Sequence, residues 1–301
     1  MTLPDTRDFV GRLALGTVQF GLDYGINNAA GRPDDATVAE ILNTAQAAGI
    51  NLLDTAAAYG DSETRLGRWL DRGDTWPRQF EIVTKLAAGP AGVVRQALQE
   101  SLARLRQPSV YGVMFHQFTG FRDQPAAWEV LREAQAAGTV QRIGMSLYHP
   151  EEAEWLLAKP MGVGLVQLPF NVFDQRFGSL LPALQQAGIE VHVRSAFLQG
   201  LLLRDPTTLP AFFAPLAPKI SALRALVRDA GMPLTSLLLL FAAYAPGVSR
   251  AVIGVDTAAN LRENLAAGTH AAQAEQLRPE LQKLAETTTD FILPYAWPPR
   301  S

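Results

Sequence analysis

Four side chains able to hold or move a proton fall at the ends of short β-like runs. Asp54 closes NLLD, Tyr59 follows in the turn TAAAYG, Lys85 stands near the end of EIVTKL, and His116 follows VYGVMF. A free phenol titrates near pH ~10, which makes it a poor proton source or base at neutral pH. An ammonium a few ångströms away favours the phenolate and lowers that value, and a carboxylate keeps the ammonium in place in a partly desolvated site. The expectation is that Asp54 anchors Lys85 and that the turn carries the phenol of Tyr59 back to it. His116 would orient a carbonyl or assist the relay. Tyr59 would then give a proton to a carbonyl oxygen or take one from an alcohol. Taken singly, each residue has a plainer role as helix cap, solvated strand end, buried polar group or packing ring. Their coincidence at the same end of neighbouring strands carries the reading.

Something must bring these residues together. Eight β-rich runs recur, at 12–21, 51–56, 81–86, 110–117, 142–148, 164–171, 190–197 and 251–255. Most are continuously apolar rather than alternating, as expected for parallel strands covered on both faces. Segments of helical period lie between them, such as ATVAEILNTAQAAG and VVRQALQESLARL. Ala48-Gly49, Ala137-Gly138, Ala187-Gly188 and Ala230-Gly231 read as helix stops, where glycine takes the left-handed conformation. This alternation predicts a (β/α)8 TIM barrel forming one domain over 1–301, with its active site at the carboxyl ends of the strands. An open doubly wound sheet is the alternative, but no G-x-G-x-x-G turn follows a strand. The connection 198–250 exceeds the others and is expected to hold an extra loop, around LLLRDPTTLPAFFAP, and two helices.

Composition narrows the classes further. With 301 residues, 48% of them hydrophobic, the chain suits a globular enzyme. A formal charge of −3 gives no reason to expect nucleic acid or an anionic membrane as partner. The absence of cysteine excludes disulfides, thiolate nucleophiles and cysteine metal sites, and a reducing cytoplasmic location is inferred. The N-terminal stretch MTLPDTRDFVGRLALG lacks a continuous apolar segment of signal type. PLTSLLLLFAAYAPGV is too short to span a membrane and reads as a buried helix.

Together, D-T-A-x-x-Y-G, V-T-K and the histidine closing the fourth run resemble the aldo/keto reductase family, and the likeness extends over nearly the whole chain. LGTVQFG is similar to that family's first strand, SLARL to its helix before strand four, and VQLPFN to its sixth strand. The resemblance implies NAD(P)H-dependent hydride transfer to or from a carbonyl carbon, with Asp54, Tyr59, Lys85 and His116 as the catalytic set. It places Thr17 and Asp54 near the nicotinamide ribose, and Ser146 and Gln167 on the carboxamide. Leu147 stands where the family often has asparagine. Arg194 takes the position of a ring-stacking tyrosine, where a guanidinium could stack on the nicotinamide or instead pair with a carboxylate. Ser195, Phe197, Gln199 and Gly200 follow as further cofactor contacts. Gly254, Val255, Asp256, Asn260, Glu263 and Asn264 match the stretch for the pyrophosphate and adenosine, with phosphate at a helix start. A lysine or arginine for the 2′-phosphate of NADP is missing from this turn, so NAD is expected to serve at least as well, unless Arg262 reaches the phosphate.

The substrate is expected to be a small carbonyl compound or alcohol, in a pocket walled by Phe20, Tyr24, Phe118, Phe121 and Phe212. Monomer and homodimer both remain open. A non-catalytic nicotinamide-binding sensor is a second reading. A metal-dependent barrel hydrolase is a third, but the histidines 116, 149, 192 and 270 show neither H-x-H nor H-E-x-x-H spacing, and no metal is expected.

Overall fold

A computed structural model describes residues 6–26, 31–71 and 80–298. The first residues of the N-terminal stretch considered for a signal lie outside the described residues. Eight parallel strands close into a barrel in chain order: β1 Leu13–Gly16, β2 Leu52–Asp54, β3 Glu81–Leu86, β4 Val110–Phe115, β5 Val140–Ser146, β6 Leu165–Pro169, β7 Glu190–Arg194 and β8 Arg250–Gly254. β8 closes on β1 with Leu13 opposite Ala251 and Gly16 opposite Gly254.

Alternation along each strand divides the apolar side chains into two layers. Ala14, Leu52, Val83, Met114 and Leu165 form a small cluster, with Tyr111 and Val252 packed on it. Their neighbours Leu13, Leu15, Leu53, Ile82, Val113, Phe115 and Val166 belong to the larger core beneath the helices. Both faces of the sheet are therefore apolar, which is why the strands read as continuous hydrophobic runs. Gly144 is required for strand packing, since a Cβ there would overlap the carbonyl of Leu165.

The expected helices form, including Asp35–Ala48, Ala91–Leu105, Pro125–Ala136, Pro150–Ala158 and Leu181–Gln186. The glycines 49, 138, 188 and 231 all have positive φ, as left-handed helix stops require. The first run differs from expectation in its second half: after Gly16 the chain forms one helical turn, Val18–Gly21, instead of continuing as strand. That turn rests on the loop after β2, where a Cβ on Gly21 would overlap the carbonyl of Tyr59.

The long seventh connection holds three short 3₁₀ turns, Leu198–Leu203, Pro206–Thr208 and Ala211–Leu216, then the helices Ala217–Ala230 and Leu234–Ala243. The residues from Ser236 to Ala243 are all buried, as expected of that apolar stretch. Among the described residues no single helix is long and apolar enough to cross a membrane.

Candidate active site

The loop after β2 is shaped by backbone bonds to its neighbours. Thr55 N–H donates to Val83 O at 2.8 Å and Ala57 N–H to Lys85 O at 3.0 Å, so pairing with β3 continues beyond Asp54. The chain then turns, with Tyr59 N–H on Ala56 O at 3.0 Å, and enters the helix Ser62–Leu70. Buried Ser62 and Glu63 fix that helix. Ser62 Oγ donates to Thr17 O at 3.0 Å. Glu63 accepts from Thr84 Oγ1 at 2.6 Å, from Ser101 Oγ at 3.2 Å and from Arg104 Nε at 2.8 Å. This clamp ties the loop to β3 and to the helix after it. Sequence reasoning missed it, because Glu63 looks like an ordinary first-turn glutamate.

The turn places Tyr59 against Lys85. Lys85 Nζ donates to Asp54 Oδ1 at 2.6 Å, to Thr55 O at 3.1 Å and to Tyr59 Oη at 3.5 Å. Both charged groups of the pair are buried, at 1% and 4% side-chain exposure, so neither is neutralised by bulk water. The ring of His116 lies 5.8 Å from that of Tyr59, nearly perpendicular to it. All four candidate catalytic residues thus meet at the carboxyl-end mouth of the barrel.

Their protonation differs in one respect from expectation. Burial pushes the Tyr59 phenol above its ordinary value of 10.0, and this outweighs the lowering influence of Lys85. The phenol is thus held neutral rather than as a phenolate at neutral pH. Burial opposes the Lys85 ammonium, but Asp54 and Tyr59 overcome it and hold the lysine above its usual value. Burial and the charge of Lys85 bring His116 down to about 4, leaving a neutral imidazole at neutral pH.

Two cavities meet at Tyr59. The larger, about 460 Å³, runs from Thr17, Asp54 and Gln167 past Arg194, Ser195, Phe197, Gln199 and Gly200 to Gly254, Val255, Asp256, Asn260, Glu263 and Asn264. Every expected cofactor residue except Ser146 lines it. Ser146 lines the smaller cavity, about 310 Å³, with His116, Tyr148 and Tyr295, while Tyr24, Tyr59, Gln167 and Arg194 face both. Gln167 Nε2 donates to Asp54 Oδ2 at 2.7 Å, so its amide nitrogen is committed within the site. Thr17 Oγ1 donates to Asp54 O at 3.0 Å.

The larger cavity fits an extended dinucleotide. Buried Gln19 Oε1 and Asp256 Oδ1 lack a hydrogen-bond partner among the described residues and lie on residues lining it. The helix Ala258–Ala266, capped by Thr257 on Asn260 N–H at 3.1 Å, starts at its far end. Three of the four non-glycine residues with positive φ among the described residues fall in one stretch beside it: Ser195 and Gln199 line the cavity, and Leu198 between them packs into the core. Backbone held this way costs free energy and commonly marks a binding loop.

Arg194 lines the larger cavity and is set against an aromatic ring of the protein itself. Its guanidinium lies 4.4 Å over the ring of Tyr148 and donates to Leu147 O at 3.4 Å, and no carboxylate pairs with it among the described residues. The expected substrate wall also needs correction. Phe20, Phe118 and Phe121 are at most 4% exposed and belong to the core. Phe118 and Phe121 stand on the short helix Phe118–Arg122 and pack against Trp155, with Phe121 also on Trp128. Phe212 packs on Phe213 and Phe291. Of the five, Tyr24 alone lines the cavities; Tyr148 and Tyr295 take the other places. Tyr148 stands two residues after the strand-five serine and was findable; nothing in the sequence signals that Tyr295 returns to the mouth. Among the described residues no group of three or more His, Asp or Glu is arranged to hold a metal ion.

Known proteins share this organisation. The model of the aldo/keto reductase family matches residues 12–284. The uncharacterized oxidoreductase YqkF of Bacillus subtilis is 26% identical over 276 residues, covering 83% of this chain and 86% of that protein. L-galactose dehydrogenase of Arabidopsis thaliana is 27% identical over 257 residues, covering 79% of each. In structure, the aldo-keto reductase AKR11C1 of Bacillus halodurans in its holo form superposes with a TM-score of 0.74 at 21% identity, covering 92% of this chain and 93% of that one.

Proposed function

The chain belongs to the aldo/keto reductase family of oxidoreductases, and we propose that it interconverts a carbonyl compound and an alcohol with a nicotinamide dinucleotide, Tyr59 serving as general acid and base. The whole chain, 1–301, works in this reading as one barrel domain. The observation that carries it is the buried ammonium of Lys85 held between Asp54 at 2.6 Å and the Tyr59 hydroxyl at 3.5 Å, at the junction of two cavities. The reduced cofactor, bound in the larger cavity, supplies the hydride. In reduction the Tyr59 O–H donates its proton to the carbonyl oxygen as the carbonyl carbon gains that hydride. Lys85 stabilises the phenolate left behind, and Asp54 keeps the lysine charged and in place. Neutral His116 helps orient the carbonyl by hydrogen bonding without adding a competing charge.

The cofactor reading favours NAD over NADP. Asp256 lines the cleft with one carboxylate oxygen unpartnered among the described residues, suited to a ribose diol and repulsive to a 2′-phosphate. Arg194 is the single basic residue among those lining the cleft, and Arg262 is paired with Glu40 at 3.1 Å. The test is turnover of 4-nitrobenzaldehyde with NADH and with NADPH, in the wild type and in Tyr59→Phe. Turnover by wild type that Tyr59→Phe abolishes is expected, with kcat/KM for NADH at least equal to that for NADPH. A large NADPH advantage overturns the cofactor assignment. Failure of the wild type across a broad carbonyl panel with both cofactors overturns the reductase reading in favour of a nicotinamide-binding sensor.

A further inference from the structure

The smaller cavity is lined by a cationic side chain that pairs with no carboxylate among the described residues. The residues that line it are Val18, Ser146, Gln167, Ser195, Gln199, Pro294, His116, Arg194 and the tyrosines 24, 59, 148 and 295; none is an aspartate or glutamate. Lys85, behind this wall, has its own counter-ion in Asp54 at 2.6 Å. Among the described residues Arg194 has no such partner: its fork gives one hydrogen bond, to the neutral carbonyl of Leu147, and its guanidinium rests 4.4 Å from the ring centre of Tyr148. The guanidinium is seated over the tyrosine ring, and Arg194 lines the cavity. A guanidinium presents a planar donor fork that matches a carboxylate in two parallel hydrogen bonds, and it does so best where the surroundings are partly desolvated. The hydroxyls of the neighbouring tyrosines can donate to the same anion.

Resting on the reductase reading, we propose that the physiological substrate is a carbonyl compound that also bears a carboxylate, and that Arg194, seated on Tyr148, recognises that carboxylate while the carbonyl lies at Tyr59 and His116. This makes Arg194 a specificity-determining residue of the smaller cavity. A role confined to stacking on the cofactor makes a different demand, because it affects every substrate equally.

The decisive comparison is kcat/KM for 4-oxobutanoate against its uncharged methyl ester, whose flexible chains let the far end reach the guanidinium at various spacings. The wild type is expected to favour the acid by about 10- to 100-fold, chiefly through KM, as expected for loss of a charge-assisted bidentate contact. Arg194→Gln is expected to erase that preference, and Arg194→Lys, which keeps the charge but loses the fork, to retain part of it. Succinate is expected to inhibit the wild type competitively against the ester, a readout that requires no variant. Equal handling of acid and ester by the wild type, or an equal loss for both in Arg194→Gln, overturns the proposal while the reductase reading stands on turnover of the ester. If neither compound is turned over while 4-nitrobenzaldehyde is, the reductase reading stands and the proposal falls; if no carbonyl compound is turned over, calorimetric titration with succinate decides the anion site, where binding lost in Arg194→Gln supports it and absence of binding in the wild type overturns it.

Discussion

The two mouths of the barrel are built from the same kinds of side chain and arranged to opposite ends. At the carboxyl mouth, Asp54, Lys85 and Tyr59 form a buried acid, cation and phenol beside open space. At the amino mouth, Glu190, Arg142 and Tyr111 form another such set, and none of the three lines either of the two cavities that meet at Tyr59. Arg142 Nε donates to the Tyr111 hydroxyl at 2.9 Å and lies 3.0 Å from Glu190 Oε2, Tyr111 donates to Glu190, and His192 Nε2 lies 2.8 Å from the other carboxylate oxygen. Acid, cation and phenol here satisfy one another, and the set acts as a plug between strands. The phenol of Tyr111 is pushed up to about 12, by burial and by the carboxylate that accepts its proton. What separates a reactive phenol from a structural one is therefore the direction of its proton. Tyr111 donates it to Glu190, whereas Tyr59 has no carboxylate acceptor among the described residues and lines a cavity, where the proposed function would put a carbonyl oxygen. The barrel concentrates function at the end where loops, rather than strand starts, surround the polar groups.

The largest effect tests this contrast directly. Tyr59→Phe is expected to lower kcat for 4-nitrobenzaldehyde reduction by about 10²- to 10⁴-fold, the usual scale for a general acid. Tyr111→Phe, with the same atom removed at the other mouth, is expected to leave kcat within about twofold and to lower the urea midpoint. Steady-state kinetics and urea unfolding of the two variants measure both quantities, and comparable kcat losses would remove the distinction between the mouths.

Lys85→Met sharpens the comparison through stability. It leaves Asp54 buried with a hydrogen bond from Gln167 at 2.7 Å but no counter-charge. Breaking a buried pair this way costs about 3–5 kcal/mol, whereas replacing both partners with apolar groups of similar volume is close to neutral. The double variant Asp54→Leu/Lys85→Met is thus expected to regain most of the unfolding free energy lost by the single variant, while remaining inactive. Urea titrations of both check the first statement and aldehyde turnover the second.

At the amino mouth the corresponding change is smaller and depends on pH. Burial alone would raise the carboxyl of Glu190, but His192, Tyr111 and Arg142 outweigh it and hold the group at about 2, against an ordinary 4.5. A carboxyl depressed on folding contributes stability that is fully present above its unfolded value and is lost as pH falls through its folded value. Glu190→Gln is therefore expected to cost on the order of 2–3 kcal/mol at pH 7, with the gap to wild type narrowing between pH 4.5 and pH 2. Unfolding titrations at pH 7 and pH 3 measure it. A gap that stays constant with pH would show that packing, not charge, holds the plug.

How much of each mouth the sequence reveals follows from what local patterns encode. The strands are legible because each is apolar on both faces, and the four proton-handling residues because they interrupt or end those runs with polar types. The walls of the smaller cavity are less legible. Phe118 and Phe121 follow the fourth strand as pocket residues might, but one helical turn aims both at Trp155 and into the core. An aromatic residue after a strand carries no sign of which way it faces. Tyr295 returns to the mouth from the far end of the chain, where its hydroxyl meets His149 Nε2 at 3.3 Å. The plug was half visible. Glu190 and His192 alternate along one strand as residues on one face must, but their partners Tyr111 and Arg142 come from other strands, and register cannot be read from one strand alone.

The smallest expected effect concerns the imidazole at the reactive mouth. Burial and the nearby ammonium of Lys85 bring His116 to about 4, so it changes charge well below the range where an ordinary histidine of 6.5 does. Protonation is favoured only in acid, where the added cation would face both Lys85 and Arg194 across the site. Above about pH 5, then, kcat/KM for aldehyde reduction is expected to show no limb belonging to His116, and its dependence should stay level within about twofold to pH 8. The basic limb, set by Tyr59, is expected beyond the ordinary phenol value of 10.0, because burial holds that group up. Profiles of the wild type and of His116→Gln from pH 4.5 to 10 make the check. A break near 6.5 that disappears in the variant would mean that water reaches the imidazole, and that the two mouths differ less in their exclusion of solvent than their geometry indicates.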